Sequence, residues 1–434
     1  MEEYIKTLLE QVRCKKAHAL IEGEIRGHME EQMEANLAEG MPEEEAVRAA
    51  VNDMGDAVEV GIALDRVHRP EMAWDMVILV AVISIIAIAL HVLPDKNIKG
   101  AGRFALFTVV GFVMMLVVYR IDYSFMAKYA RGIAAFILCF QFLAVTSGAK
   151  LNGVGVTLLV NGYNIVVSAV LMLYIPVYGA VLYQYYGTGM VGIAKSVFWL
   201  AVPVILSLGL PNLELAVIQG FSLAVLLTFA VYKGWFKISK KRFYLIFWGS
   251  ILLLPIALYF GTVMFYGGQG YQTARIRAVF DRSSDIRYMA NLILGYLGDC
   301  RFIGGSGFSD GMVPDVGCSH ILIYLMVSYG IAAGLAICGI LILLSIKVFK
   351  ISVKQKNQLG MMMGCGCGMA FASNILFNIF GNTGLFLSTA TFLPFFSSGG
   401  CNIVVSYILV GIIMSVYRYK NVFPKHFKLE HADS

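Results

Sequence analysis

Ten stretches of apolar residues, each long enough to cross a bilayer as a helix, constrain this chain more than any other feature. Spanning takes roughly 20 apolar residues, and lipid offers no partner to an unpaired backbone group. A helix satisfies those groups internally. The stretches cover about 75–93, 104–120, 131–147, 164–184, 194–210, 213–232, 243–266, 320–347, 359–381 and 401–418. The fifth is the weakest, with Lys195 at its edge and Pro203 inside it. Composition agrees: 14% of the 434 residues are charged, against roughly 25% in soluble domains. The expected fold is all-α, a polytopic membrane protein with about ten transmembrane helices.

The first 70 residues differ in kind. They hold 16 of the 28 acidic groups and 8 basic ones, a net of −8, whereas the remainder carries +14. From Glu3 to Ala38 apolar residues recur at helical spacing, among them Ile5, Leu8, Leu9, Val12, Leu20 and Ile21. Gly40-Met41-Pro42 ends one helix, and Glu43, Glu44 and Glu45 suit the positive end of the next, with Pro42 at its first position. Asn52 to Asp56 is a second break. This reads as a small soluble helical domain over 1–70, followed by a membrane domain over 71–434. Its charged start does not match the apolar core of a signal peptide.

With the N-terminus inside, the cytoplasmic connections and tail collect Arg120, Lys128, Arg131, Lys233, Lys237, Lys240, Lys350, Arg418 and Lys420. That follows the positive-inside rule; the 94–103 loop, with Lys96, Lys99 and Arg103, runs mildly against it. Both termini are then cytoplasmic, and the long polar stretch Gly267–Ser319 lies outside.

That stretch holds five Arg and five Asp but neither Lys nor Glu. Arg275 and Arg277 precede Asp281 and Asp285, with Arg287 just after. A guanidinium grips phosphate with a planar fork of donors, and a carboxylate can take a proton from a hydroxyl. On a helix or turn Asp281 and Asp285 share one face, where two like charges disfavour joint ionisation. Such a loop at a membrane surface points to a lipid-linked phosphate substrate. The plainer reading pairs the aspartates with Arg277, Arg282 or Arg287 on a solvated loop, and makes the arginines headgroup anchors. Gly304, Gly305 and Gly307 fit either a substrate approach or a simple turn. His320, at the start of an apolar stretch, is functional by default or merely interfacial. Cys300 and Cys318 could pair on an oxidising side. Cys365-Gly366-Cys367 is too tightly spaced for zinc, and no metal site, Walker motif or Rossmann motif is found. Nothing points to nucleic acid.

Several segments resemble the FtsW/RodA/SpoVE (SEDS) family, whose members polymerise peptidoglycan glycan strands. Phe392-Leu-Pro394-Phe-Phe-Ser397-Ser-Gly399-Gly400, then Val410 to Ser415, is similar to the family's PLPFVSYGG signature and final GIxxS helix. Asn378-Ile379, Gly111 to Met115 and Ile121-Asp122-Tyr123 also match, as does the two-aspartate spacing Phe280-Asp281 to Asp285, with Gly304 to Gly307 and Pro314-Asp315 beyond it. The resemblance covers roughly residues 72–420. It implies Asp285 as catalytic base, with Arg275, Arg277, Asp281, Arg287, Ser397, Gly399 and Gly400 binding substrate. It implies lipid II as substrate, a class B penicillin-binding protein as partner, the bacterial cytoplasmic membrane as location, and a divalent cation as a plausible companion of the pyrophosphate. The first 70 residues resemble the helical prefix domain of some Firmicute membrane proteins.

The chain also departs from the pattern. Arg282 replaces the Pro after the first Asp, and Asn161 to Asn164 stands where a Gln-Pro-Ser-Glu motif would. Leu210-Pro211-Asn212-Leu213-Glu214 replaces Gln-Pro-Asp-Leu-Gly-Thr. The alternative expectation is therefore a catalytically degenerate SEDS-like scaffold or regulator of cell-wall synthesis. A transporter would want more ionisable groups deep in the membrane.

Overall fold

The computed structural model describes residues 1–92, 98–151, 154–160, 163–210, 213–266, 274, 277–278, 281, 284–306, 317–384 and 391–424. Four helices come first: α1 (Glu2–Glu10), α2 (His18–Ala38), α3 (Glu43–Asp53) and α4 (Ala57–His68). Their apolar faces bury Ile5, Leu8, Ile21, Ile25, Met29, Ala46 and Ala50. Pro42 sits one position earlier than expected, at the cap of α3. Asp56 caps α4, accepting from the amides of Val58 and Glu59. Asp65 on α4 takes three hydrogen bonds from Arg13, at 2.9, 3.0 and 2.7 Å.

These helices rest on one end of the bundle that follows. Lys16 pairs with the buried carboxylate of Asp122 and lies 5.4 Å over the Tyr419 ring. Lys420 pairs with Glu71 at 2.7 Å, and the Asn421 amide donates to the Val67 carbonyl at 3.1 Å. Asp122 also caps the short helix α7 (Tyr123–Lys128), accepting from the Ser124 amide at 2.8 Å. This is the latch end.

The bundle matches the expected stretches with two exceptions. Its long helices are α5 (Trp74–Val92), α6 (Ile98–Arg120), α8 (Ala130–Ser147), α9 (Val167–Tyr183), α10 (Met190–Gly209), α11 (Leu213–Tyr232) and α12 (Lys240–Tyr266). After a helix at the loop end, α13 (Tyr288–Asp299), come α14 (Ile321–Tyr329), α15 (Ile331–Val353), α16 (Gln358–Asn382) and α17 (Gly400–Arg418). Among the described residues eight of these are long and apolar enough to cross a membrane, and the protein is a multi-pass helical membrane protein. Helices α9 and α16 are its buried centre. They cross closely at Gly366, where a Cβ would stand 2.6 Å from the Pro176 Cα. Pro203 inside α10 supplies no amide for the Trp199 carbonyl, and the Tyr174 hydroxyl donates to that carbonyl instead, at 2.6 Å.

The first exception is the stretch at 320–347, which is two helices. Gly330 breaks it with φ 103°, and a Cβ there would fall 2.7 Å from the Phe302 carbonyl. Residues 301–306 run alongside the break. Gly304 and Ser306 donate to the carbonyls of Tyr329 and Val327, while the amides of Ile331 and Ala332 donate to Arg301 and Phe302. Backbone groups freed by the break thus find partners, as the bilayer requires.

The second exception is a three-stranded antiparallel sheet: β1 (Ala149–Leu151), β2 (Val154–Val160) and β3 (Tyr163–Val166). Leu151 faces Val154 and Val160 faces Tyr163. The sequence puts Asn152-Gly153 and Asn161-Gly162 between these strands, the dipeptide most favoured in two-residue hairpins. The stretch expected to span from 164 therefore begins as strand and turns helical at Val167.

Candidate active site at the loop end

At the far end from the latch, neutral side chains stitch three chain segments together. Asn378 and Asn382 stand one turn apart on α16, so their amides share a face. Both donate to the Ser319 carbonyl, at 3.1 and 2.9 Å. Asn378 also donates to the Thr391 carbonyl at 2.9 Å, and the Asn382 side-chain oxygen accepts from the Ile323 amide at 3.1 Å. That amide lies in the first turn of α14, where no intrahelical acceptor exists. All of this is buried.

Ser397 completes the seam. Its hydroxyl donates to the Cys318 carbonyl at 2.6 Å and accepts from the Leu393 amide at 2.7 Å. The Ser398 amide donates to the Gly317 carbonyl at 2.6 Å. Gly399 has φ 139°, and Gly400 opens α17 where a Cβ would meet the Phe107 ring at 2.5 Å. Phe395 holds a left-handed backbone, φ 67°, with its ring edge-on to Tyr407. Ser397, Gly399 and Gly400, the residues expected to bind substrate, help to hold this turn in place.

The arginine–aspartate stretch rests on the seam. Arg277 and Asp281 are exposed, with the Asp281 amide donating to the Arg277 carbonyl. Ser284 is extended, and Asp285 starts a 3₁₀ turn that leads into α13. The extended residue at 284 separates this 3₁₀ turn from the chain before it. Asp285 is exposed.

Arg287, also expected to bind substrate, differs from Arg277 in its burial. It is buried, and its guanidinium donates to the carbonyls of Ala278 and Gly384 at 3.4 and 3.2 Å. It ties the turn that carries Asp285 to the chain just past α16. Arg275, Arg282, Gly307, Pro314, Asp315, Asn161 and Asn212 lie outside the described residues. Cys318 Sγ takes a hydrogen bond from the Asn402 amide at 3.1 Å. His320 is buried at the start of α14. Among the described residues no three His, Cys, Asp or Glu side chains gather as a cage for a cation; one accompanying a pyrophosphate would depend largely on phosphate oxygens.

A narrow pocket, with room for about one water, lies between α9, α11 and α16. Ser168, Glu214, Gln219, Asn374 and Thr391 give it polar atoms, and Leu171 and Ile218 are among its apolar walls. Thr391 belongs to both cavity and seam. The sequence reading passed over this group. The available signal was Glu214, an ionisable residue at the head of an apolar stretch.

Residues 70–422 match the FtsW/RodA/SpoVE family, described as cell cycle proteins. This chain belongs to that family. It is 22% identical over 367 residues to the "Probable peptidoglycan glycosyltransferase FtsW" of Trichlorobacter lovleyi, covering 79% of this chain and 93% of the relative. A protein of the same name from Nitrosomonas europaea is 25% identical over 180 residues, 39% of this chain and 45% of the relative. Among solved structures, a chain from a study of polymerization and crosslinking by a peptidoglycan synthase complex superposes with TM-score 0.65 at 17% identity. It covers 80% of this chain and 98% of its own. The rod shape determining protein RodA of Thermus thermophilus gives 0.56 at 16% identity, covering 80% and 97%. The FtsW/RodA/SpoVE match begins at residue 70, directly after α4.

Proposed function

We propose that this member of the FtsW/RodA/SpoVE family is a peptidoglycan glycosyltransferase that extends glycan strands from lipid II. The observation that carries the reading is an exposed Asp285 on a turn fixed by the buried Arg287. Asp285 takes the proton of the acceptor sugar hydroxyl. The hydroxyl oxygen forms its bond to the anomeric carbon while the bond to the pyrophosphate oxygen breaks, inverting that centre. Arg277, with Arg275, offsets charge on the departing pyrophosphate. The names of the FtsW relatives support the substrate, and the synthase-complex neighbour supports a class B penicillin-binding protein as partner.

The basic residues at the latch end support a cytoplasmic placement for both termini, with the first four helices as a cytoplasmic domain and the loop end outside. The test is polymer formation from lipid II by the purified full-length chain, alone and with a class B penicillin-binding protein. Activity is expected to vanish in Asp285→Asn. Absence of polymer with every partner would favour the scaffold reading, and an undiminished Asp285→Asn would remove the base assignment.

A further inference from the structure

One aromatic ring at the latch end gathers two cations. Tyr185, two residues past α9, is buried, and its hydroxyl accepts from the Trp199 indole N–H at 3.1 Å. The preceding residue, Gln184, donates to the Ala127 carbonyl at 2.8 Å, which ties this corner to α7. The Arg131 guanidinium on α8 lies 4.9 Å from the centre of the Tyr185 ring, and the Lys195 ammonium on α10 lies 6.0 Å from it. The ring attracts each cation, while the cations repel one another. Among the described residues neither meets a carboxylate at ion-pair distance. The sequence supplies the reason: Glu214, past the far end of α10, is the one acidic residue between Asp122 and Asp281. The first turns of α8 and α10 hold no acid and no side-chain cap, so their amides add to the positive potential.

We infer that this corner binds the headgroup phosphate of an anionic phospholipid in the leaflet at the latch end, held between Arg131 and Lys195. That leaflet is the cytoplasmic one on the placement proposed above. A phosphate accepts from both cations at once and offsets their repulsion, and the guanidinium offers it two parallel donors. The surroundings favour a lipid over a soluble anion. Both cations lie within the first two turns of helices apolar enough to span, Ala130–Ser147 and Met190–Gly209. On the same two helices the large apolar side chains of Phe136, Met190, Val191 and Phe198 are exposed. A free phosphate gains nothing from such neighbours, whereas a phospholipid brings acyl chains to cover them. Basic pockets between membrane helices take headgroups in this way.

The experiment titrates the full-length protein in detergent with phosphatidylglycerol or phosphatidylcholine and counts bound lipid by native mass spectrometry. The wild type is expected to retain phosphatidylglycerol in preference to phosphatidylcholine. Arg131→Gln and Lys195→Gln should each weaken phosphatidylglycerol about 5-fold and the double variant about 25-fold, the effect of one and of two cations facing an anionic lipid. Both side chains are exposed, so melting of the variants in lipid-free detergent should match the wild type. Added phosphatidylglycerol should raise the wild-type melting temperature and leave that of the double variant where it was. Lys241→Gln removes an equal charge from the start of α12 and should leave lipid binding unchanged. A loss in Lys241→Gln as large as in the double variant would mean a diffuse basic surface and overturn the site. Wild-type binding by the double variant would overturn it too. Displacement of the lipid by inorganic phosphate or glycerol phosphate would replace the lipid with a soluble anion and overturn the inference as stated. Polymerisation does not enter the readout, so the outcome is independent of the glycosyl-transfer reading.

Discussion

The two ends of the bundle are held by different mixtures of ties. The latch end adds ion pairs, Lys16 with Asp122, Lys420 with Glu71 at 2.7 Å, and Lys347 with Asp75 at 2.8 Å, to neutral bonds such as Asn357 to Pro424 and Ser415 to Ile121. At the loop end the described ties are mostly neutral, with Asn378, Asn382 and Ser397 bonded to backbone groups. The latch ties are partly wet; Lys16 is 43% exposed and Glu71 40%. Surface ion pairs are worth about 0–1 kcal/mol, because water and salt screen them. A buried amide on several backbone groups is another matter. Removing it strands each partner at about 1–3 kcal/mol apiece. The seam is therefore the costlier end to damage, and the latch is the end that can release.

The sharpest test of this contrast is Asn382→Leu. It leaves the Ile323 amide without its partner, while the Ser319 carbonyl keeps the Asn378 amide, so a loss of about 1–3 kcal/mol is expected in thermal unfolding in detergent. A loss no larger than that of a latch substitution would break the comparison. Next comes Arg287→Lys. The compact ammonium does not reproduce the guanidinium fork on Ala278 and Gly384. Polymerisation should fall roughly 10-fold or more, through misplacement of Asp285, while the melting temperature moves less than in Asn382→Leu.

A smaller effect is expected at the latch. Lys16→Ala should cost about 1 kcal/mol by removing the partner of a buried carboxylate that remains engaged at the α7 cap. A double-mutant cycle with Asp122→Ala would measure the coupling, and protease cleavage near Pro70 would report release. Smallest is an acid effect confined to the first four helices. Hydrogen bonds from Arg13 hold the Asp65 carboxyl below its usual range. A lowered carboxyl stabilises the fold above its unfolded pKa of about 3.9, and that contribution fades as pH falls through the lowered value. Circular dichroism from pH 6 down to 2 should show the loss below about pH 4, and Asp65→Asn should remove that component.

Legibility differed between the two ends for the same physical reason. The apolar stretches, the acidic first 70 residues and the breaks near Gly40 and Gly55 follow from periodicity and turn chemistry, which are local. Asp285 is picked out by its spacing in a family motif. The burial of Arg287 is not, because it depends on carbonyls nine and 97 residues away. Gly330 gave no warning within an unbroken apolar run, since the partners that make a break tolerable come from residues 301–306. The strands at 149–166 were signalled by two Asn-Gly pairs, which the strong apolar signal downstream outweighed.

The sequence alone determined that the chain enters a membrane and crosses it as several helices. Those outcomes rest on transfer free energies that each stretch carries by itself. Only the tertiary structure decided which polar groups are tools and which are fasteners. Ser397 and Arg287 became fasteners because distant carbonyls claimed them. A buried polar group is defined by the partners that folding brings to it, and those partners are far away along the chain.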